Sequence, residues 1–290
     1  EVVQFWCGAE ANKSNALDGF TALITAWRRG HLDVVRFLCE ARADKFTAME
    51  GGTPLIAASR SGHLDVVRFL CDAGADKDKE EDSQTPLITA SLKGHLDVVR
   101  FLCEAGADKD KAVKGWTPLI AASWRGHLEV VRFLCEAGAN KDNALDGLTV
   151  LITASLKSHL DVVRFLCDAR ADKDKEEDSK TPLIAASWRG HLEVVRFLCE
   201  AGADKDKAVE ESTPLIAASR RGYLELVQFL CEAGADRGMR AKNGLTPLSM
   251  EEHMGHLDVL RCLRQVACRL IADGAWGDDD ARPSQRRRVA

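Results

Sequence analysis

Cys39, Cys71, Cys103, Cys135, Cys167, Cys199 and Cys231 stand 32 residues apart, and nearly every interval also holds a histidine: His31, His63, His95, His127, His159 and His191. Thiol and imidazole are the side chains that bind zinc, attack carbonyls or, as cysteine pairs, form disulfides. The spacing opposes all three uses. One cysteine per structural unit puts neighbours about 10 Å apart in a stack of helices, beyond the roughly 7 Å between Cα atoms that a disulfide spans. No Cys-x-x-Cys, His-Glu-x-x-His, glycine-rich phosphate loop or nucleophile elbow occurs in the chain. The cysteines therefore read as small buried hydrophobes. Each histidine follows a turn residue and opens a helix, which suits packing and hydrogen bonding; Tyr223 takes that place in one unit. No catalytic residue, metal ligand or cofactor is expected, and the chain reads as a non-enzyme.

The elements that carry these residues come from a copied unit. Threonine recurs at Thr21, Thr53, Thr85, Thr117, Thr149, Thr181 and Thr213 every 32 residues, then at Thr246 after 33. Thr53-Pro54 suits a helix start, because the hydroxyl accepts an orphan backbone N–H and proline at the first helical position loses no hydrogen bond. A short inner helix follows to Ser61, and Gly62 permits the left-handed backbone that ends it. His63-Leu64 opens an outer helix with Val66, Val67, Phe69, Leu70 and Cys71 on a broad apolar face and Asp65 and Arg68 outside. Gly74 closes it, and the polar run from Asp76 to Ser83 leads to the next unit. Helices this short cannot bury their apolar faces alone, so the units must stack on one shared core.

This unit resembles the ankyrin repeat, as in Gly115-Trp116-Thr117-Pro118-Leu119, Ala121-Ala122, Gly126-His127-Leu128-Glu129-Val130-Val131, Leu134 and Gly138-Ala139, recurring in register over nearly the whole chain. The resemblance implies an all-α solenoid of stacked helix pairs with projecting hairpin-like loops, serving as a protein-interaction scaffold. It also implies that each cysteine of the ladder occupies a usual leucine position. Residues 1–18 read as the second helix and loop of a truncated repeat, 19–243 as seven repeats, 244–276 as a capping repeat with an extended second helix, and 277–290 as a disordered polar tail. The cap owes its polar outer face to Arg261, Arg264, Gln265 and Arg269.

Departures from the family pattern make further expectations. Ile24, Ile56, Ile88, Ile120, Ile152, Ile184 and Ile216 replace the usual histidine after Thr-Pro-Leu, turning a polar clasp into an apolar contact. The unit is one residue shorter than usual, in the connecting loop, so a regular hairpin is not expected at every junction. Ala22 and Val150 replace proline, Ser158 the inter-helix glycine, and Arg42 and Arg170 the glycine ending the outer helix. A side chain forced into the left-handed region costs about 1 kcal/mol, so those repeats should be the softest. Near-identical blocks, such as Ser123 to Ala139 and Ser187 to Ala203, indicate duplication.

Positions that differ between units while the core stays constant are free to serve recognition. They are the residue before each threonine, including Phe20, Gln84, Trp116, Leu148 and Lys180, and the pair ending each inner helix. The pairs are Arg28-Arg29, Arg60-Ser61, Leu92-Lys93, Trp124-Arg125, Leu156-Lys157, Trp188-Arg189 and Arg220-Arg221. By the resemblance they line the concave face, as a basic stripe with tryptophan and leucine between acidic loops such as Glu80-Glu81-Asp82 and Glu176-Glu177-Asp178. Tryptophan and arginine dominate interface energetics. The expected partner is another protein offering an acidic or extended segment. No small-molecule substrate or membrane insertion is expected.

The net charge of −5, from 40 basic and 45 acidic side chains, opposes a general polyanion binder. Nucleic acid ranks below protein as a partner, and the Arg286-Arg287-Arg288 cluster reads as a solubilising tail. The alternative to a free-standing scaffold is the targeting arm of a larger enzyme or channel. No run approaches the roughly 20 apolar residues of a membrane span. The expected location is intracellular, cytoplasmic by default, or nuclear if the tail directs import.

Overall fold

The structure is a computed structural model that describes residues 25–40, 53–141, 149–210 and 212–272. The chain divides into two compact units, Glu1–Ala171 and Asp172–Ala290. Residues 1–18, Phe20, Ala22, Arg42, Leu148 and the segment 277–290 fall outside the described residues.

In the first unit, residues 25–29 and Leu32–Glu40 are helical, and three full helix pairs follow: Pro54–Ser61 with Leu64–Asp72, Pro86–Lys93 with Leu96–Glu104, and Pro118–Arg125 with Leu128–Glu136. A fourth pair is Val150–Leu156 with Leu160–Asp168. The inner helices begin where the threonine predicts. Thr85 Oγ1 accepts the Ile88 N–H at 3.2 Å, and Thr117 and Thr149 do the same for Ile120 and Ile152. This last helix starts with Val150 in place of proline, so the cap suffices without the preset φ. Gly62, Gly94 and Gly126 end their helices at φ near 76°. Ser158 takes the same turn at φ 64° and Arg170 ends its outer helix at φ 62°, both carrying the side-chain strain expected of them.

The second unit holds three pairs: Pro182–Arg189 with Leu192–Glu200, Pro214–Arg220 with Leu224–Glu232, and Pro247–Met254 with Leu257–Ala272. Leu257–Ala272 has 16 residues against nine in the other outer helices. Arg261, Arg264 and Gln265 are exposed on it, whereas the Arg269 side chain is outside the described set. Its surroundings are not wholly polar: Leu257 is 64% exposed, Met254 50% and Leu248 38%.

Six of the described pairs contribute the same residues to the core. In the Thr85 repeat Leu87, Ile88, Val98, Val99 and Leu102 are all buried, and so are their counterparts in the repeats of Thr53, Thr117, Thr149, Thr181 and Thr213. Burying one such side chain contributes about 1.5–3 kcal/mol, so the stack is held mainly by this repeated apolar set. Ile56, Ile88, Ile120, Ile152, Ile184 and Ile216, standing for the family histidine, are buried as the apolar substitution implies, while Ile24 lies outside the described residues.

Among the described residues four of the short connecting loops close as hairpins. Glu81 and Gln84 exchange both backbone hydrogen bonds, and so do Val113 and Trp116, Glu177 and Lys180, and Val209 and Ser212. Two-residue turns close the first three of these hairpins, with Asp82 and Ser83 at φ 48° and 62°, Lys114 and Gly115 at 45° and 73°, and Asp178 and Ser179 at 44° and 58°. Two successive left-handed residues give the turn whose twist matches a hairpin, so these shorter loops still close as tight hairpins. Val113 and Val209 sit on the hairpins with 2% and 0% exposure, extending the core into the loops.

Polar ladders tie neighbouring repeats together. Asp78 Oδ1 accepts the Asp108 N–H at 3.0 Å and Asp110 Oδ1 that of Asn140 at 2.9 Å; in the second unit Asp174 receives Asp204 and Asp206 receives Asp236. On the outer helices Arg68 lies 4.7 Å from the Phe101 ring centroid, Arg100 4.8 Å from Phe133 and Arg132 4.9 Å from Phe165, and Arg196 lies 4.5 Å from Phe229. Contacts of this type contribute about 0.5–1 kcal/mol each at exposed sites.

Candidate functional site: the inner-helix ends

The histidines and cysteines take structural places. The ring N–H at Nε2 of His95 donates to the Arg60 carbonyl at 3.1 Å, that of His127 to Leu92 at 3.2 Å and that of His159 to Trp124 at 3.0 Å. Each ring also lies against the glycine of the preceding repeat. A methyl group on Gly126 would stand 2.4 Å from His159 Nδ1. Burial holds the His127 imidazole below its ordinary pKa, so the neutral, donating ring persists at neutral pH.

Cys71, Cys103, Cys135, Cys167 and Cys199 are half-buried, not buried as expected, because their outer helices face solvent on one side; Cys231 and Cys262 are buried. Burial pushes the thiols of Cys71, Cys103, Cys135 and Cys199 up to about 11, so the nucleophilic thiolate is scarce at neutral pH. Among the described residues no group of three or more histidine, cysteine or acidic side chains could hold a metal ion.

The recognition positions come together differently in each unit. In the first, Arg28 and Arg29 are exposed at the end of their helix. Arg60 donates from Nη2 to Gln84 Oε1 at 3.4 Å, linking a helix end to the residue before the next threonine. Leu92 and Trp116 pack on a cluster of Ile88, Val113 and Ala121, leaving Lys93 exposed. Trp116 meets Trp124 edge-to-face, with ring centroids 5.4 Å apart and planes at 77°. Lys157 sets its Nζ 3.6 Å from the Trp124 centroid; Leu156 beside it is half-buried, and Arg125 is exposed. Trp124 is therefore a half-buried platform covered by a cation, and its surface is presented through Lys157.

In the second unit Trp188 packs on Ile184, Val209 and Ala217. Arg221 lies 4.1 Å and Arg220 5.6 Å from its ring centroid, and Arg189 is exposed next to it. Tyr223 adds a group that the sequence reading did not place here: its ring abuts Gly190, so that a methyl there would be 2.9 Å from it, and the residue is 37% exposed. Its being the only tyrosine of the chain was the available signal. The hairpin valines were the other omission. Without Val113 and Val209 neither tryptophan cluster would have its floor.

Among the described residues no helix is long and apolar enough to cross a membrane. Family models described as ankyrin repeats (3 copies) match residues 1–81, 73–145 and 137–209, and one described as ankyrin repeats (many copies) matches 208–250. No curated protein matches the chain. Among solved structures, the human ASB11 ankyrin repeat domain is 27% identical, with a TM-score of 0.68 over 74% of this chain and 97% of that one. The ankyrin repeat domain of Bcl-3, described as a unique member of the IkappaB protein family, is 30% identical, with a TM-score of 0.63 over 74% of this chain and 99% of that one. With matches running from the first repeat to the last, the chain belongs to the ankyrin repeat family.

Proposed function

We propose that this protein is a non-enzymatic scaffold that binds a partner protein through the inner-helix ends and hairpins. The observation that carries the reading is the division of labour within each repeat. Residues that are constant from repeat to repeat build the core and the ladders, while those that vary meet one another at the inner-helix ends within each unit: Trp116 with Trp124, Lys157 on Trp124 and Arg60 with Gln84 in the first, Arg220 and Arg221 on Trp188 in the second. None of the ion pairs among the described residues involves Arg125, Lys157, Arg189, Arg220 or Arg221. Cations held on aromatic rings without a counter-ion favour an acidic group on the partner, and Trp and Arg together supply the usual anchors.

The test is affinity capture with purified wild type, with Arg125→Glu/Lys157→Glu, and with Arg189→Glu/Arg221→Glu, after circular dichroism shows equal helicity. Asp65→Lys on an outer helix is the control. A partner retained by wild type and control, weakened at least tenfold by either pair in a reconstituted titration, is the expected result. Equal binding by all four proteins would move the interface off this face.

A further inference from the structure

We propose that Trp188, Arg189, Arg220, Arg221 and Tyr223 form a binding site for a phosphorylated serine or threonine in an extended peptide. The proposal rests on the scaffold reading above and names the chemistry of one of its sites. Two arginines on successive residues converge on a single indole, Arg221 at 4.1 Å and Arg220 at 5.6 Å, and the ring is itself fixed on Ile184, Val209 and Ala217. Stacking on a fixed ring lowers the entropy lost when a guanidinium engages a ligand, while its N–H donors remain available at the edge. Arg189 adds a third guanidinium one residue beyond the ring, and Tyr223 brings a phenol against Gly190 at the same helix end.

Charge matching selects the ligand. Two guanidiniums lie on the ring at this helix end, the exposed Arg189 is the next residue in the chain, and none of the ion pairs among the described residues involves the three. A carboxylate brings one charge and two oxygens, enough for one arginine. A phosphomonoester brings close to two charges at neutral pH and three terminal oxygens, which can serve two or three.

The flanking residues decide the kind of molecule. The hairpin that leads into the Trp188 helix carries Glu176, Glu177 and Asp178, and the next carries Glu210, whose Oε2 accepts the Ser179 hydroxyl at 2.6 Å. A nucleic-acid backbone would meet that acidic rim with repeated negative charge, and the indole face needed for base stacking is occupied by Arg221. A peptide with one dianion and a basic residue satisfies both ends. The inner helix of eight residues separates them by about 12 Å, at 1.5 Å per residue. About four residues of extended chain, at roughly 3.3 Å each, span that distance. The favoured ligand is therefore a phosphoresidue with lysine or arginine about four positions away.

Degenerate peptides centred on phosphoserine, glutamate or serine, with lysine or glutamate fixed four positions to either side, are titrated on the full chain by fluorescence anisotropy. Phosphoserine with lysine should bind about tenfold more tightly than the glutamate-centred peptide, a difference of about 1.4 kcal/mol. Arg220→Ala/Arg221→Ala should abolish that preference, and Arg220→Lys/Arg221→Lys, which keeps charge and stem, should retain only part of it. Equal affinity for phosphoserine and glutamate, or a preference unchanged in the double alanine variant, overturns the proposal. So does tighter binding of single-stranded oligonucleotide than of phosphopeptide. If every peptide fails while a captured partner still depends on Arg125 and Lys157, only the phosphate site falls; if that dependence fails too, the scaffold face falls with it.

Discussion

Trp124 and Trp188 lie on identical helices, Pro-Leu-Ile-Ala-Ala-Ser-Trp-Arg in both cases, yet they face different neighbours. Trp124 meets a second indole, a single lysine and the following His159, which donates to its backbone carbonyl. Trp188 meets two arginines, and Tyr223 stands in the histidine's row. The recognition chemistry at a helix end is thus written by the repeat that follows, not by the helix that carries the tryptophan.

The severest way to break the comparison is to disturb the junction beneath each ring. Gly126→Ala should cost about 2–3 kcal/mol in urea unfolding, from the left-handed φ of 75° together with the contact with His159. Gly190→Ala should cost less, since its nearest ring atom is 2.9 Å from the added methyl against 2.4 Å at Gly126. A transplant sharpens the difference. Leu156→Arg/Lys157→Arg should give Trp124 the cation pair of Trp188 and raise phosphopeptide affinity at the first unit about tenfold, read by anisotropy in an Arg220→Ala/Arg221→Ala background.

Smaller effects concern the turns and thiols. Ser158→Gly should stabilise by about 1 kcal/mol, because glycine accepts the left-handed turn that Ser158 makes at φ 64°. Lys157→Ala should destabilise by about 0.5–1 kcal/mol through loss of the ring contact. Burial pushes the thiols of Cys71, Cys103, Cys135 and Cys199 up to about 11 in the fold against 9.0 ordinarily, so the folded state holds their protons more tightly. Their stabilising contribution is full below pH 9 and is lost as pH rises toward 11. Urea midpoints at fixed salt, with Cys→Ala variants compared to remove other titrations, should show this decline.

The fold was legible because Thr-Pro and Gly-His mark the helix starts and turns in chain order, and the same capping bonds form at Thr85, Thr117 and Thr181. The hairpins were less legible. Val113 and Val209 occupy a row in which Glu81 and Glu177 also stand, and this mixture concealed an inward-facing position. The variable helix-end residues could be picked out by comparing copies, but their pairing could not. Lys157 lies 33 residues from Trp124 and Arg221 lies 33 from Trp188, and only the stacking of successive repeats brings such residues into contact.

The outer-helix ladder has a further consequence. In the first unit the helices Leu64–Asp72, Leu96–Glu104 and Leu128–Glu136 each supply both an arginine for the next ring and a phenylalanine for the previous guanidinium, so a block spliced between two of them arrives with both halves of its junctions. At the helix Leu257–Ala272 this interchangeability ends: Gln228 stands in the arginine row and Cys262 in the phenylalanine row. Duplication of such a block can therefore add recognition surface where matching helices adjoin, whereas the junction before Leu257–Ala272 lacks both the arginine and the phenylalanine that would accept one.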